Sequence, residues 1–381
     1  HHALKLNTTA ADNTAVGRNA LCTTTTGCVN TAVGSSAMQS NTTGDENVAI
    51  GGGALYDNTT ADHNTAVGHN AATNTTTGKD NTVVGSSALF TNTTGHDNIV
   101  IGCGALYSNT SGADNIGIGY QALYNNTSAC SNSAMGWQAM AANTTGDFNT
   151  AVGFTALTAN TTADNNTAIG HMALKTNTGA GHHNTAVGSF ALNSNTTAAD
   201  NVAIGQGALY ANTTGANNVA VGAEALDANT TAANNTAIGR NSLTTNTTGA
   251  DNTAVGRTSM ESNTEGDNNV AVGLDALAAN TTADNNTALG YASLAANTTG
   301  AGNTSVGKDA LKANTTGAEN VAVGIFALKT NTSAAKNTSI GYAALCSNTT
   351  GAENTAVGAA SMITNTTGAA NVAMGFCAMK F

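Results

Sequence analysis

The chain has 381 residues, a formal net charge of −11, 9% charged and 4% aromatic residues, and no proline. Its 11 Lys and Arg are scattered, so no basic stripe exists for a phosphate backbone, which argues against a nucleic-acid partner. No run reaches the ~18 apolar residues that read as a membrane span. Strictly placed apolar residues and the absence of proline argue against a disordered linker.

From residue 13 onward the string Asn-Thr-Ala-Val-Gly returns every 17 residues, in 22 copies that end with Asn371-Val372-Ala373-Met374-Gly375. Self-similarity at a short fixed period marks a solenoid of stacked units. Residues 1–381 therefore read as one repetitive domain. Because the chain starts and stops inside a repeat, they also read as a piece of a longer protein.

With Asn13 as position 1, the repeat runs Asn-(Thr/Val)-Ala-(Val/Ile)-Gly-x-x-Ala-Leu-x-x-Asn-Thr-Thr-Gly-x-x. Positions 1–5 predict a short strand, because Thr, Val and Ile are strand formers and positions 2 and 4 share a face. The invariant Gly at position 5 predicts a corner. Ala-Leu at positions 8–9 supplies a second apolar contact. Asn-Thr-Thr-Gly at positions 12–15 has turn chemistry, with Gly expected at positive φ. Seventeen residues are too few for a strand, a helix and two turns, so the coil reads as two short extended pieces. The expected fold is all-β: a parallel β-solenoid or β-roll of about 22 coils. At 4.7–4.9 Å per coil it predicts a rod of roughly 100 Å. The asparagines at position 1 are expected to stack as an internal amide ladder.

On this reading Val or Ile at position 4 and Leu at position 9 form the core, and Val221→Asp collapses a coil. Their burial is worth roughly 3–6 kcal/mol per coil. Ordering the backbone costs several times that, so lateral association is expected, as a trimer or a longer filament.

Taken along the chain, Cys22 and Cys28 bracket one loop and are candidates for a disulfide in an oxidising compartment. Cys103, Cys130, Cys346 and Cys377 follow no metal-ligand spacing. Asn41, Asn143, Asn160, Asn212 and Asn297 each open an Asn-Thr-Thr triplet. Such triplets make turns, and they are also N-glycosylation acceptors if the protein is secreted by a eukaryote. Phe90, Tyr107 and Tyr124 occupy position 10 of successive coils, and Tyr120, Trp137, Phe154 and His171 occupy position 6. Such columns stack against one another or offer a surface to sugars or a partner chain. The repeat that starts at Asn166 carries an insertion around residues 179–183, near which His171, His182 and His183 gather. Solvated loop histidines are the simpler reading there than a metal site. No nucleophile–base pair or carboxylate dyad stands out. The expectation is no enzyme, with no catalytic residue, cofactor or metal.

The core Asn201-Val202-Ala203-Ile204-Gly205 resembles the Asn-Ser-Val-Ala-Ile-Gly motif of trimeric autotransporter adhesin heads. Similar Asn-Thr-Ala-Val-Gly strings occur in phage tail-fibre-like proteins. The resemblance covers essentially the whole chain, while the Asn-Thr-Thr-Gly loop departs from the adhesin pattern. It implies a left-handed parallel β-roll with three chains side by side, at a cell or virion surface. The functional expectation is an extracellular structural or adhesive fibre element that self-associates, with surface glycans as a further partner. The alternatives are an ice- or water-binding solenoid that uses Thr/Asn ladders and a glycan- or receptor-binding fibre module.

Overall fold

A computed structural model describes residues 2–380. The chain divides into two compact units, residues 1–190 and 191–381. Each is a parallel β-solenoid, and no helix occurs among the described residues. The first unit runs from β1 (Thr14–Val16) to β11 (Thr185–Val187), and the second from β12 (Val202–Ile204) to β22 (Val372–Met374). In the first, β1 pairs in parallel with β2 (Thr31–Val33), Thr14 opposite Thr31 and Val16 opposite Val33. In the second, β13 (Val219–Val221) pairs with β14 (Thr236–Ile238) in the same manner, Ala220 opposite Ala237. The constant step places like residues in columns. The insertion leaves the register intact: Thr167 still faces Thr185.

The strands face the other way from the sequence expectation. The residue at position 3 points inward, so Ala32 and Ala220 are fully buried. Positions 2 and 4 point outward, which leaves Ile50 and Ile238 exposed. Leu at position 9 reaches across the interior and touches the strand. At Gly117, the one glycine at position 3, an added Cβ would lie 2.7 Å from Leu106 Cδ1. Position 3 is Ala in most coils, with Val83 and Val100 also fully buried there, and the side chains of positions 2 and 4 are turned to the outside.

The second extended piece is not a strand either. Positions 7, 9 and 17 hold left-handed residues, with φ at position 9 between 47° (Met38) and 55° (Leu226). For a non-glycine residue this costs about 1–2 kcal/mol. Burial and coil-to-coil bonds hold it in place: Leu226 N–H donates to Ser242 C=O of the next coil at 2.9 Å, and Glu224 N–H to Gln206 C=O of the previous one at 2.9 Å. The chain thus bonds up and down at alternate residues without forming a regular strand. Glycine at position 5 has φ between 123° and 146°. Glycine at position 15, where the turn was expected to need positive φ, does not have it. Several coils carry Ala there, such as Ala163 and Ala232.

Two buried asparagine columns complete the interior. At position 1, Asn30 Oδ1 accepts from Asn47 N–H at 2.9 Å, and Asn30 Nδ2 donates to Gly44 C=O at 2.8 Å. At position 12, Asn229 Nδ2 donates to Asn212 Oδ1 at 2.8 Å and to Ala232 C=O at 3.0 Å. Both columns converge on the carbonyl of position 15: Ala232 C=O also accepts from Asn218 Nδ2 at 2.9 Å. These amides thus close their own coil and tie it to a neighbour, while Asn286 Nδ2 is left without a partner. Buried polar groups demand this pairing, since an unpaired one costs about 1–3 kcal/mol.

Candidate functional site

The position-12 asparagines are structural groups and not free acceptors. Asn41, Asn143, Asn160, Asn212 and Asn297 are all fully buried. Asn143 Nδ2 donates to Asn126 Oδ1 at 3.1 Å and to Gly146 C=O at 3.0 Å, and Asn160, Asn212 and Asn297 repeat the arrangement. Asn41 Nδ2 donates to Gly44 C=O at 3.1 Å. A glycan would occupy that same nitrogen, which in the folded coil is already hydrogen-bonded. Among the other triplets with an exposed asparagine, three begin at position 17: Asn165-Asn166-Thr167, Asn234-Asn235-Thr236 and Asn285-Asn286-Thr287. Their first residue sits at position 17 with φ of 58–62°. The sequence carried a signal for that conformation. Asn and Asp dominate position 17, and they are the non-glycine residues that most readily adopt it.

The threonine columns of the loop are also in use. Thr42 Oγ1 donates to Thr59 C=O at 2.9 Å, and Thr213 Oγ1 to Thr230 C=O at 3.0 Å. With the asparagines inside and these hydroxyls turned to the backbone, the outward threonines are those of position 14, such as Thr43 and Thr214, and those of the strand at position 2.

In the structure Cys22 and Cys28 are free thiols. They lie on either side of the buried Thr24. The Cys28 thiol donates to Thr26 C=O at 3.2 Å and accepts from Ala11 N–H at 3.4 Å.

The aromatic columns form two stacks. Phe90, Tyr107 and Tyr124 follow one another at 5.1 and 5.2 Å between ring centroids, with interplanar angles of 6° and 12°. Tyr120, Trp137, Phe154 and His171 follow at 5.9, 4.9 and 5.5 Å, and Phe190 closes the run edge-on to His171 at 5.0 Å. Inside each stack the faces of the rings cover one another, so a sugar ring finds edges there and not free faces. The three histidines of the irregular region do not converge. His171 belongs to the stack, while His182 Nδ1 accepts from Asp164 N–H at 3.0 Å. No cluster of metal-ligating side chains occurs among the described residues.

What the fold leaves for recognition is the outward strand face. Positions 2 and 4 project from it as two columns, β-branched in most coils, with Thr, Val or Ile at 2 and Val or Ile at 4. Sequence reasoning placed position 4 in the core and so missed this surface. No helix among the described residues is long and apolar enough to cross a membrane.

The chain matches no protein-family model and no curated protein. What holds of the resemblance drawn from the sequence is the fold, a parallel β-solenoid of about 17 residues per coil.

Proposed function

We propose that the protein is a structural fibre element of a cell or virion surface, with an adhesive role, and that it is not an enzyme. The observation that carries this reading is how the polar interior is used. The two asparagine columns are consumed by coil-to-coil bonds, so the chemistry that recurs along the chain maintains the stack. The outward aliphatic column of each unit supports lateral assembly of several copies, because exposed apolar side chains in a row gain by leaving water. Sedimentation velocity across a concentration series tests the assembly: larger species should grow in as concentration rises. Surface labelling of intact source cells or particles tests the location, and a chain found only in a reducing cytoplasm would count against it.

A second reading is favoured by the in-register threonines at position 2, such as Thr14 opposite Thr31. Such a ladder can order water, and thermal hysteresis with ice shaping by the purified protein would favour it over the structural role.

A further inference from the structure

The outward face of the first unit is not uniform along its coils. From β6 (Ile99–Ile101) to β10 (Thr167–Ile169) it widens into a patch made by two adjacent columns. Ile101, Met135 and Ile169 represent position 4, and Tyr120, Trp137 and Phe154 represent position 6. These six side chains are 39–47% exposed. Only the corner glycine separates the two columns, so their Cα atoms lie within ~7 Å of each other. Position 6 carries no Lys, Arg, Asp or Glu anywhere in this stretch, whereas elsewhere it holds Arg18, Arg240, Arg257 and Lys308.

We propose that this patch is where two copies of the chain pair about a two-fold axis, with Met135 and Trp137 at its centre. The proposal rests on the assembly reading above and names the surface that carries it. Three observations support a second copy as the occupant. The first is area. The six side chains expose roughly 500 Å² and their flanking Ile118, Val152 and Cys103 extend this toward the ~800 Å² per partner of a standard interface. Contiguous apolar patches of this size on a soluble protein mark interaction sites. The second is pitch. Side chains repeat along the patch at one strand spacing, ~4.8 Å, and only a partner of equal pitch meets every coil in the same way. The third is symmetry. The coil of Met135 and Trp137 has two patch coils on each side, so a two-fold axis there sets Tyr120 against Phe154 of the second copy and Ile101 against its Ile169. Such a contact is self-complementary. It gives a pair that a filament can be built from, and it does not give a trimer.

Trp137 is the sole tryptophan of the chain, so the wild-type protein reports on its own patch. The experiment is sedimentation velocity together with tryptophan emission over a dilution series of the full chain. The expected result is a species of twice the monomer mass, with Trp137 emission moving to the blue as it forms. Met135→Asp should weaken pairing by roughly a hundredfold, since it places an uncompensated charge at a hot-spot centre, and should leave emission red-shifted and the circular dichroism unchanged. Ile238→Asp, at the same repeat position beside Arg240, should pair like wild type. A wild-type chain that stays monomeric overturns both this proposal and the assembly reading. Association without an emission shift, or association that survives Met135→Asp, overturns the patch and leaves assembly standing. A limiting mass of three chains overturns the two-fold geometry. Should Met135→Asp misfold, the wild-type emission series still decides.

Discussion

Replacing Gly222 by Ala puts a methyl group where the backbone of the next coil already lies. Gly222 has φ +138°, and an added Cβ would sit 2.6 Å from both C and O of Gly239 and 3.0 Å from Arg240 N. A side chain forced into a glycine-only backbone region costs about 1–3 kcal/mol. Overpacking against atoms that cannot rotate away adds about 1–3 kcal/mol. The expected loss is therefore about 4 kcal/mol, concentrated at that coil and its neighbour. Gly215→Ala is the matched control. A methyl there also meets a carbonyl of the next coil, that of Ala232. Yet Ala163 and Ala232 occupy the same column, so the backbone has a known adjustment, and φ is not in the left-handed region. Its cost should stay within about 1 kcal/mol, offset in part by the lower unfolded-state entropy of Ala. Urea unfolding followed by far-UV circular dichroism compares the two midpoints. Stacked repeats can unfold in parts, so amide exchange at Gly222 and Gly239 should be followed as well. If the two variants unfold at the same midpoint with equal exchange, the steric account of position 5 is wrong.

Asn229→Ala should cost about 2–4 kcal/mol, because Asn212 Oδ1 and Ala232 C=O each lose a donor and Asn246 Nδ2 loses an acceptor; faster exchange confined to the flanking coils would identify the ladder as the cause. Val221→Asp should cost less than about 1 kcal/mol in the monomer, as an outward residue on a pleated surface; a collapse in circular dichroism would put position 4 back in the core. Burial first, and Glu224 second, hold the Asp227 carboxyl above its ordinary 3.8. The folded state thus keeps this proton to higher pH than the unfolded state, so the group's contribution falls as pH rises through that window. Asp227→Asn should therefore raise the melting temperature near neutrality and lose that advantage below pH ~3; an equal gain at both pH values would refute the carboxyl as the cause. Expressed through a eukaryotic secretory pathway, the folded protein should carry glycans at Asn165, Asn234 and Asn285 rather than at Asn212 or Asn297, which peptide mass mapping checks.

The sequence by itself determined the periodic part of this protein. An invariant Asn and Gly with a 17-residue step leave a parallel stack as the arrangement that puts like residues in columns, and the inward amide ladder follows from burying an Asn in every coil. The same argument anticipated two aromatic columns, because stacking carries spacing directly into space. It could not say which way the strand faces. Alternation puts positions 2 and 4 on one side and position 3 on the other, and local chemistry favours burying the larger apolar residue. The tertiary structure reversed that choice: Leu at position 9 already occupies the interior, where Leu106 lies close to Gly117, and position 3 shares that space with it, as Ala in most coils. The left-handed leucines were invisible for a related reason: their strain is repaid by bonds to residues 16 positions away, such as Leu226 to Ser242. The availability of Asn212 and the free thiols of Cys22 and Cys28 likewise depend on what stands above and below each residue. A single repeat does not contain that information, and only the stacked coil supplies it.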